Sequence, residues 1–142
     1  MFNLNFYRAL VFGSIFPFVL VVAGCATNFP QKSEDVVKAR AQERVIFLKS
    51  KEFSKAYQYL TPSYRALNNL ESYRNSFGSG AEWIDPIVSR VDCSDEDRCV
   101  AELKLGVLVL ASGFGGKPLP TTLREIWIKE NGQWWFQQYS NN

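Results

Sequence analysis

The chain has 142 residues, with 16 Lys and Arg against 14 Asp and Glu, a formal net charge of +2 and no histidine. That length fits one domain with a single core, and the near balance of charge does not select nucleic acid as a partner. Without histidine, Ser-His-Asp and Cys-His catalysis are both excluded.

The first segment is set apart by its composition. Arg8 and the amino terminus are basic, Leu10 to Val22 carry no charge, Pro17 interrupts them, and Val22-Ala23-Gly24-Cys25 closes the run. An apolar stretch of this length suits a signal peptide and falls short of the ~20 residues that a spanning helix needs. The segment resembles the signal peptide and lipobox of bacterial lipoproteins. That resemblance implies cleavage after residue 24, lipid attachment at Cys25 and an added acyl chain such as palmitate on the new amine. Each buried methylene contributes about 0.8 kcal/mol, so two or more chains hold a protein stably on a bilayer. Ala26, where an Asp would signal inner-membrane retention, implies the outer membrane, with the protein facing the periplasm. Residues 25–33 then read as the lipidated cysteine and a tether, because Thr27, Asn28, Pro30, Gln31 and Ser33 lack apolar periodicity.

Residues 34–142 read as a single α+β domain. From Ser33 to about Leu60, Val37, Ala41, Val45, Leu48, Phe53, Ala56, Tyr57 and Leu60 fall at helical spacing. Ser33, Glu34 and Asp35 suit the helix start, and Lys49-Ser50-Lys51 suits a kink or break. The many basic residues here, Lys32, Lys38, Arg40, Arg44, Lys49, Lys51 and Lys55, read as solvated surface or as a face for anionic headgroups. Thr61-Pro62 predicts a short helix to about Leu67, and another is expected from Glu71 to Phe77, ended by Gly78.

Beyond Gly80 the pattern becomes that of strands. Trp83 to Asp92 carries Pro86, which implies an edge or a bulge, and Cys99 to Ser112 includes Val107 to Leu110, an apolar run expected to be buried on both faces. Thr121 to Lys129 and Gln133 to Tyr139 form a hairpin around Asn131-Gly132. Alternation puts Leu123, Glu125, Trp127 and Lys129 on one face and Arg124, Ile126 and Ile128 on the other, with Trp134 and Phe136 opposed to Trp135 and Tyr139.

With Cys25 lipidated, Cys93 and Cys99 remain as an even pair in an exported chain and are expected to form a disulfide across a polar hairpin. Two thiols with no histidine make a poor zinc site, and C-x5-C is not the redox spacing C-x-x-C, so no metal or cofactor is expected. Gly113-Phe114-Gly115-Gly116-Lys117 fails as a phosphate loop, because Ala111 stands at the first glycine position and Pro118 replaces Ser or Thr.

Two stretches, Ala56-Tyr57-Gln58-Tyr59-Leu60-Thr61-Pro62-Ser63-Tyr64-Arg65 and Ile126-Trp127-Ile128-Lys129-Glu130-Asn131-Gly132-Gln133-Trp134-Trp135, resemble the nuclear transport factor 2-like superfamily. The resemblance implies a cone: N-terminal helices packed on a curved antiparallel sheet of about four strands, with a pocket between them that Tyr57, Trp127 and Trp135 would line. It leaves function open. The reading it favours is a non-catalytic, lipid-anchored envelope protein that binds a protein partner or a small apolar ligand, with a homodimer as a further option. One alternative is a pocket isomerase or hydrolase pairing Tyr57 or Tyr59 with Glu82, Asp85 or Glu125. Another is a structural accessory of a secretion or surface-assembly complex.

Overall fold

Ser33–Lys49 form α1 in the computed structural model, which describes residues 31–113 and 116–138. The signal segment, Cys25 and most of the tether lie outside the described residues. Val37, Ala41, Arg44, Val45 and Leu48 are the buried residues of α1, one stripe at helical spacing. Glu34 and Asp35 sit in its first turn, where negative charge meets the positive end of the helix dipole, and Lys49 sits in its last. Ser33 is the first helical residue rather than the cap; Lys32 holds the cap position and makes no side-chain cap bond.

The expected break at Lys49-Ser50-Lys51 is complete. Lys51 adopts φ 58°, and the chain restarts as α2, Phe53–Tyr57. In α3, Pro62–Leu67, the Thr61 hydroxyl accepts the Tyr64 N–H at 3.2 Å. In α4, Leu70–Asn75, the Asn69 side chain accepts the Ser72 N–H at 2.8 Å. Both caps satisfy amides that a helix start otherwise leaves unpaired.

The strands are β1 Ala81–Asp95, β2 Arg98–Val109, β3 Leu119–Glu130 and β4 Gln133–Phe136. They form one open sheet in the order β1-β2-β3-β4, each pair antiparallel. Helices first and a meander after make the fold α+β. Asn131 at φ 51° and Gly132 at φ 78° supply the two positive φ angles of the β3–β4 turn. Between the pairs Ile84↔Gly106 and Ile87↔Lys104, two residues of β1, Asp85 and Pro86, face one of β2, so Pro86 sits in a bulge on an edge strand. The chain is tight at this place: a Cβ on Gly106 would lie 2.8 Å from Pro118 Cβ and 3.3 Å from Ile84 Cβ.

The stripe of α1 packs on Val88, Cys99, Ala101, Leu103, Leu105, Trp127 and Trp134 to make the main core. Leu48, Ala56, Leu60 and Tyr73 make a second cluster, with Phe53, Tyr57, Tyr64 and Phe77 packed around it. The expectation for Val107 to Leu110 does not hold. Val107, Leu108 and Val109 are only half-buried and Leu110 is 53% exposed. Alternation accounts for Leu108 and Leu110, which share the face of exposed Lys104, opposite buried Leu103 and Leu105; Val107, on the buried face, packs against the main core from its margin.

Both sheet edges are met by other parts of the chain. On β1, Gln42 of α1 accepts the Val88 N–H at 2.8 Å and donates to the Pro86 carbonyl at 3.0 Å, taking the place of a neighbouring strand beside the bulge. On β4, Phe136 N–H donates to Tyr59 O at 2.7 Å and Thr61 N–H to Phe136 O at 3.2 Å. Unpaired strand edges invite intermolecular pairing, and these contacts block part of each. Cys93 and Cys99 are disulfide-bonded. The bridge lies inside the β1–β2 pair rather than at its end, because the strands continue to Asp95 and Arg98.

Candidate functional site

The broken helix and the start of β1 leave a space between them. The end of α1, α2, the residues after α4 and Ala81 to Ile84 enclose a depression of about 610 Å³. Leu48, Phe53, Phe77 and Trp83 give it an apolar lining, with the Phe53 and Phe77 rings 5.2 Å apart. Charged groups stand at its rim: Lys51 lies 3.9 Å from Glu82, and Lys49 lies 3.3 Å from Asp85. A second, shallower groove of about 890 Å³ runs between α1 and β1, where Ile46 is 48% and Ile87 57% exposed.

None of the three residues that the resemblance assigns to a pocket borders either space. Tyr57 is half-buried in the helical cluster, its hydroxyl 2.6 Å from Asn68 O and 3.2 Å from Arg65 O. Trp127 is fully buried in the main core. Trp135 lies at the β4 edge between two arginines, with the Arg40 and Arg65 guanidinium carbons 5.7 Å and 5.2 Å from its ring centroid. Helical spacing and strand alternation sort residues by face but do not separate core from cavity wall. Phe53, Phe77 and Trp83 come together only through the tertiary fold, and no spacing in the sequence joins them.

The tyrosine and carboxylate combinations are not brought together either. Glu82 and Asp85 face lysines at the surface. Glu125 is buried with Arg44, Oε1 to Nη1 at 2.6 Å, and accepts the Trp127 indole N–H through Oε2 at 3.3 Å. The Arg44 guanidinium also lies 3.7 Å from the Phe136 ring centroid. Tyr59 instead donates to Glu43. Its pKa is pushed up from 10.0 to about 12, first by burial and then by the Glu43 carboxylate, with Arg40 opposing. Burial likewise raises the Tyr73 hydroxyl, which has no hydrogen-bond partner among the described residues; the nearby Arg44 offsets part of that shift. Both tyrosines are therefore neutral phenols at ordinary pH. The buried ion pair had a legible signal: Arg44 falls on the stripe of Val37, Ala41 and Leu48, and Glu125 alternates with Trp127.

Among the described residues no group of three or more His, Cys, Asp or Glu side chains is placed to hold a metal ion, and no helix is long and apolar enough to cross a membrane. Neither a family model nor a curated protein matches this chain. Among solved structures it is similar to the solution structure of a SEC-C motif containing protein from Rhodopseudomonas palustris. The TM-score is 0.55 at 18% identity, over 70% of this chain and 73% of that one. A likeness at that identity shows the fold alone.

Proposed function

We propose that this chain is a lipid-anchored protein of the bacterial envelope whose nuclear transport factor 2-like domain binds, without catalysis, a small apolar ligand or an apolar segment of a protein partner. The observation that carries the binding role is the depression lined by Leu48, Phe53, Phe77 and Trp83, an aromatic concavity between helices and sheet. Helices that precede the four-stranded antiparallel sheet are consistent with the nuclear transport factor 2-like type. The non-catalytic reading is supported by the separation of Tyr57 and Tyr59 from Glu82, Asp85 and Glu125, each of which is engaged elsewhere. Anchoring rests on the sequence Val22-Ala23-Gly24-Cys25 and the uncharged run before it. The outer membrane, facing the periplasm, follows from Ala26.

Native mass spectrometry of residues 26–142, secreted to a periplasm so that Cys93 and Cys99 pair, tests the binding role. The expected result is a co-purifying apolar adduct, or retention of an added apolar fluorescent probe, that Trp83→Ala and Phe77→Asp each weaken by about tenfold or more. A domain that holds neither, or whose probe binding ignores both substitutions, would contradict it.

A further inference from the structure

Arg40 on α1, Arg65 on α3 and Trp135 on β4 converge at the β4 edge from three separate elements. Arg40 is flanked by two rings, its guanidinium carbon 4.9 Å from the Tyr59 centroid and 5.7 Å from that of Trp135; Arg65 lies 5.2 Å from the same indole. All three side chains are half-buried. The Nε atoms of both arginines are enclosed and have no hydrogen-bond partner among the described residues.

Neither cation makes an ion-pair contact, although the nearby Glu43 carboxylate favours the charged form of Arg40 and opposes the effect of its burial. Arg65 Nη1 donates to the neutral Gln58 Oε1 at 2.9 Å, and Glu43, one turn along from Arg40, is occupied by the Tyr59 hydroxyl. Arg44, Lys49, Lys51, Lys55, Arg90 and Lys104 each have an ion-pair partner. The remaining cations of the described residues are exposed, so only Arg40 and Arg65 are partly withdrawn from water without one. Residues 1–30, 114–115 and 139–142 contain no Asp or Glu, so no side-chain carboxylate elsewhere in the chain can supply it.

Withdrawing a cation from water costs free energy unless charge or hydrogen bonds compensate, and two like charges around one ring add repulsion. Burial accordingly holds Arg40 below the usual arginine range. An indole face returns part of that cost and fixes the plane of each guanidinium. What the arrangement lacks is an anion in contact with either guanidinium.

We propose that Arg40, Arg65 and Trp135 form a binding site for a phosphate group. With Nε enclosed in both and Arg65 Nη1 already donating to Gln58, the remaining Nη N–H groups of each planar fork are the donors that would meet the oxygens of a phosphate. The two positive charges suit phosphate oxygens, which carry up to two negative charges in free phosphate and one in a phospholipid headgroup. The same chemistry is offered by a free phosphate and by a phospholipid headgroup. The site does not depend on the anchor or on the apolar depression.

The test uses the full chain, titrated with inorganic phosphate in a non-ionic detergent and, separately, reconstituted without detergent into vesicles with a rising fraction of phosphatidylglycerol. The reporter is the indole N–H resonance of Trp135, assigned with Trp135→Phe. A saturable shift is expected that Arg40→Gln and Arg65→Gln each weaken by about tenfold or more. Arg98→Gln, which removes an exposed arginine of β2, leaves it unchanged. Arg40→Lys retains the charge and the packed stem but not the fork; it should fold and still bind more weakly than the parent. A response to phosphate itself identifies a free phosphate as the source, and a response to the vesicles alone identifies a headgroup. No saturable shift with either, or a shift indifferent to both glutamine substitutions, would overturn the proposal.

Discussion

Arg44 and Glu125 retain only 3% and 7% of their side-chain exposure, so each depends on the other to remain charged in the core. Removing one partner of such a pair leaves an uncompensated buried charge, whereas replacing both with apolar groups is often close to neutral. Arg44→Met is therefore expected to lower stability by about 3–5 kcal/mol, and Arg44→Met with Glu125→Leu by clearly less; urea unfolding of the three proteins measures both. The sequence shows Arg44 within a run of basic residues, and reading that run as solvated surface misses it. Tyr59 gives a prediction in pH. Burial and the Glu43 carboxylate push its pKa up from the ordinary 10.0 to about 12 in the fold, so the folded protein keeps a proton that the unfolded chain loses. That stability is fully present below pH 10 and is lost as pH rises through about 12. Burial raises Tyr64 and Tyr73 in the same direction. Tyr59→Phe should flatten part of the alkaline decline in urea midpoint; an unchanged slope would show that the phenol titrates normally.

At the scale of elements, β1 depends on a side chain from another layer. Gln42 satisfies the Val88 N–H and the Pro86 carbonyl together. Gln42→Ala should cost about 1–3 kcal/mol, the range for leaving buried polar groups unpaired, and should speed amide exchange at Val88 above its neighbours; a protected Val88 amide in the variant would contradict this. Closing the seven-residue loop from Cys93 to Cys99 contributes about 2 kcal/mol more on the loop-entropy model. Most element types are legible in the sequence because their signals are local. Thr61-Pro62 marks a helix start, Asn131-Gly132 a hairpin, Pro86 an edge or bulge, and all three are found. The long apolar run in β2 was misleading, since composition alone does not reveal which face of a strand meets a helix.

For the molecule as a whole, the α+β order was readable because the hydrophobic period changes from helical to alternating near Gly80. The proposed binding surface was not. Its wall joins Phe53 of α2, Phe77 after α4 and Trp83 of β1, while Tyr57, Trp127 and Trp135, the aromatics that the resemblance assigns to a pocket, went to the helical cluster, the core and the β4 edge. The proposed address rests on the sequence Val22-Ala23-Gly24-Cys25, independently of the fold. Intact-mass analysis and membrane fractionation of the full chain and its Cys25→Ser variant, expressed in a bacterium with lipoprotein processing, test that claim most directly. The account predicts a parent protein cleaved before Cys25, carrying the mass of a diacylglycerol plus one acyl chain and sedimenting with the outer membrane, and a variant with neither the added mass nor that location. A parent chain with an unmodified Cys25, or a Cys25→Ser protein that remains acylated and membrane-bound, would contradict it.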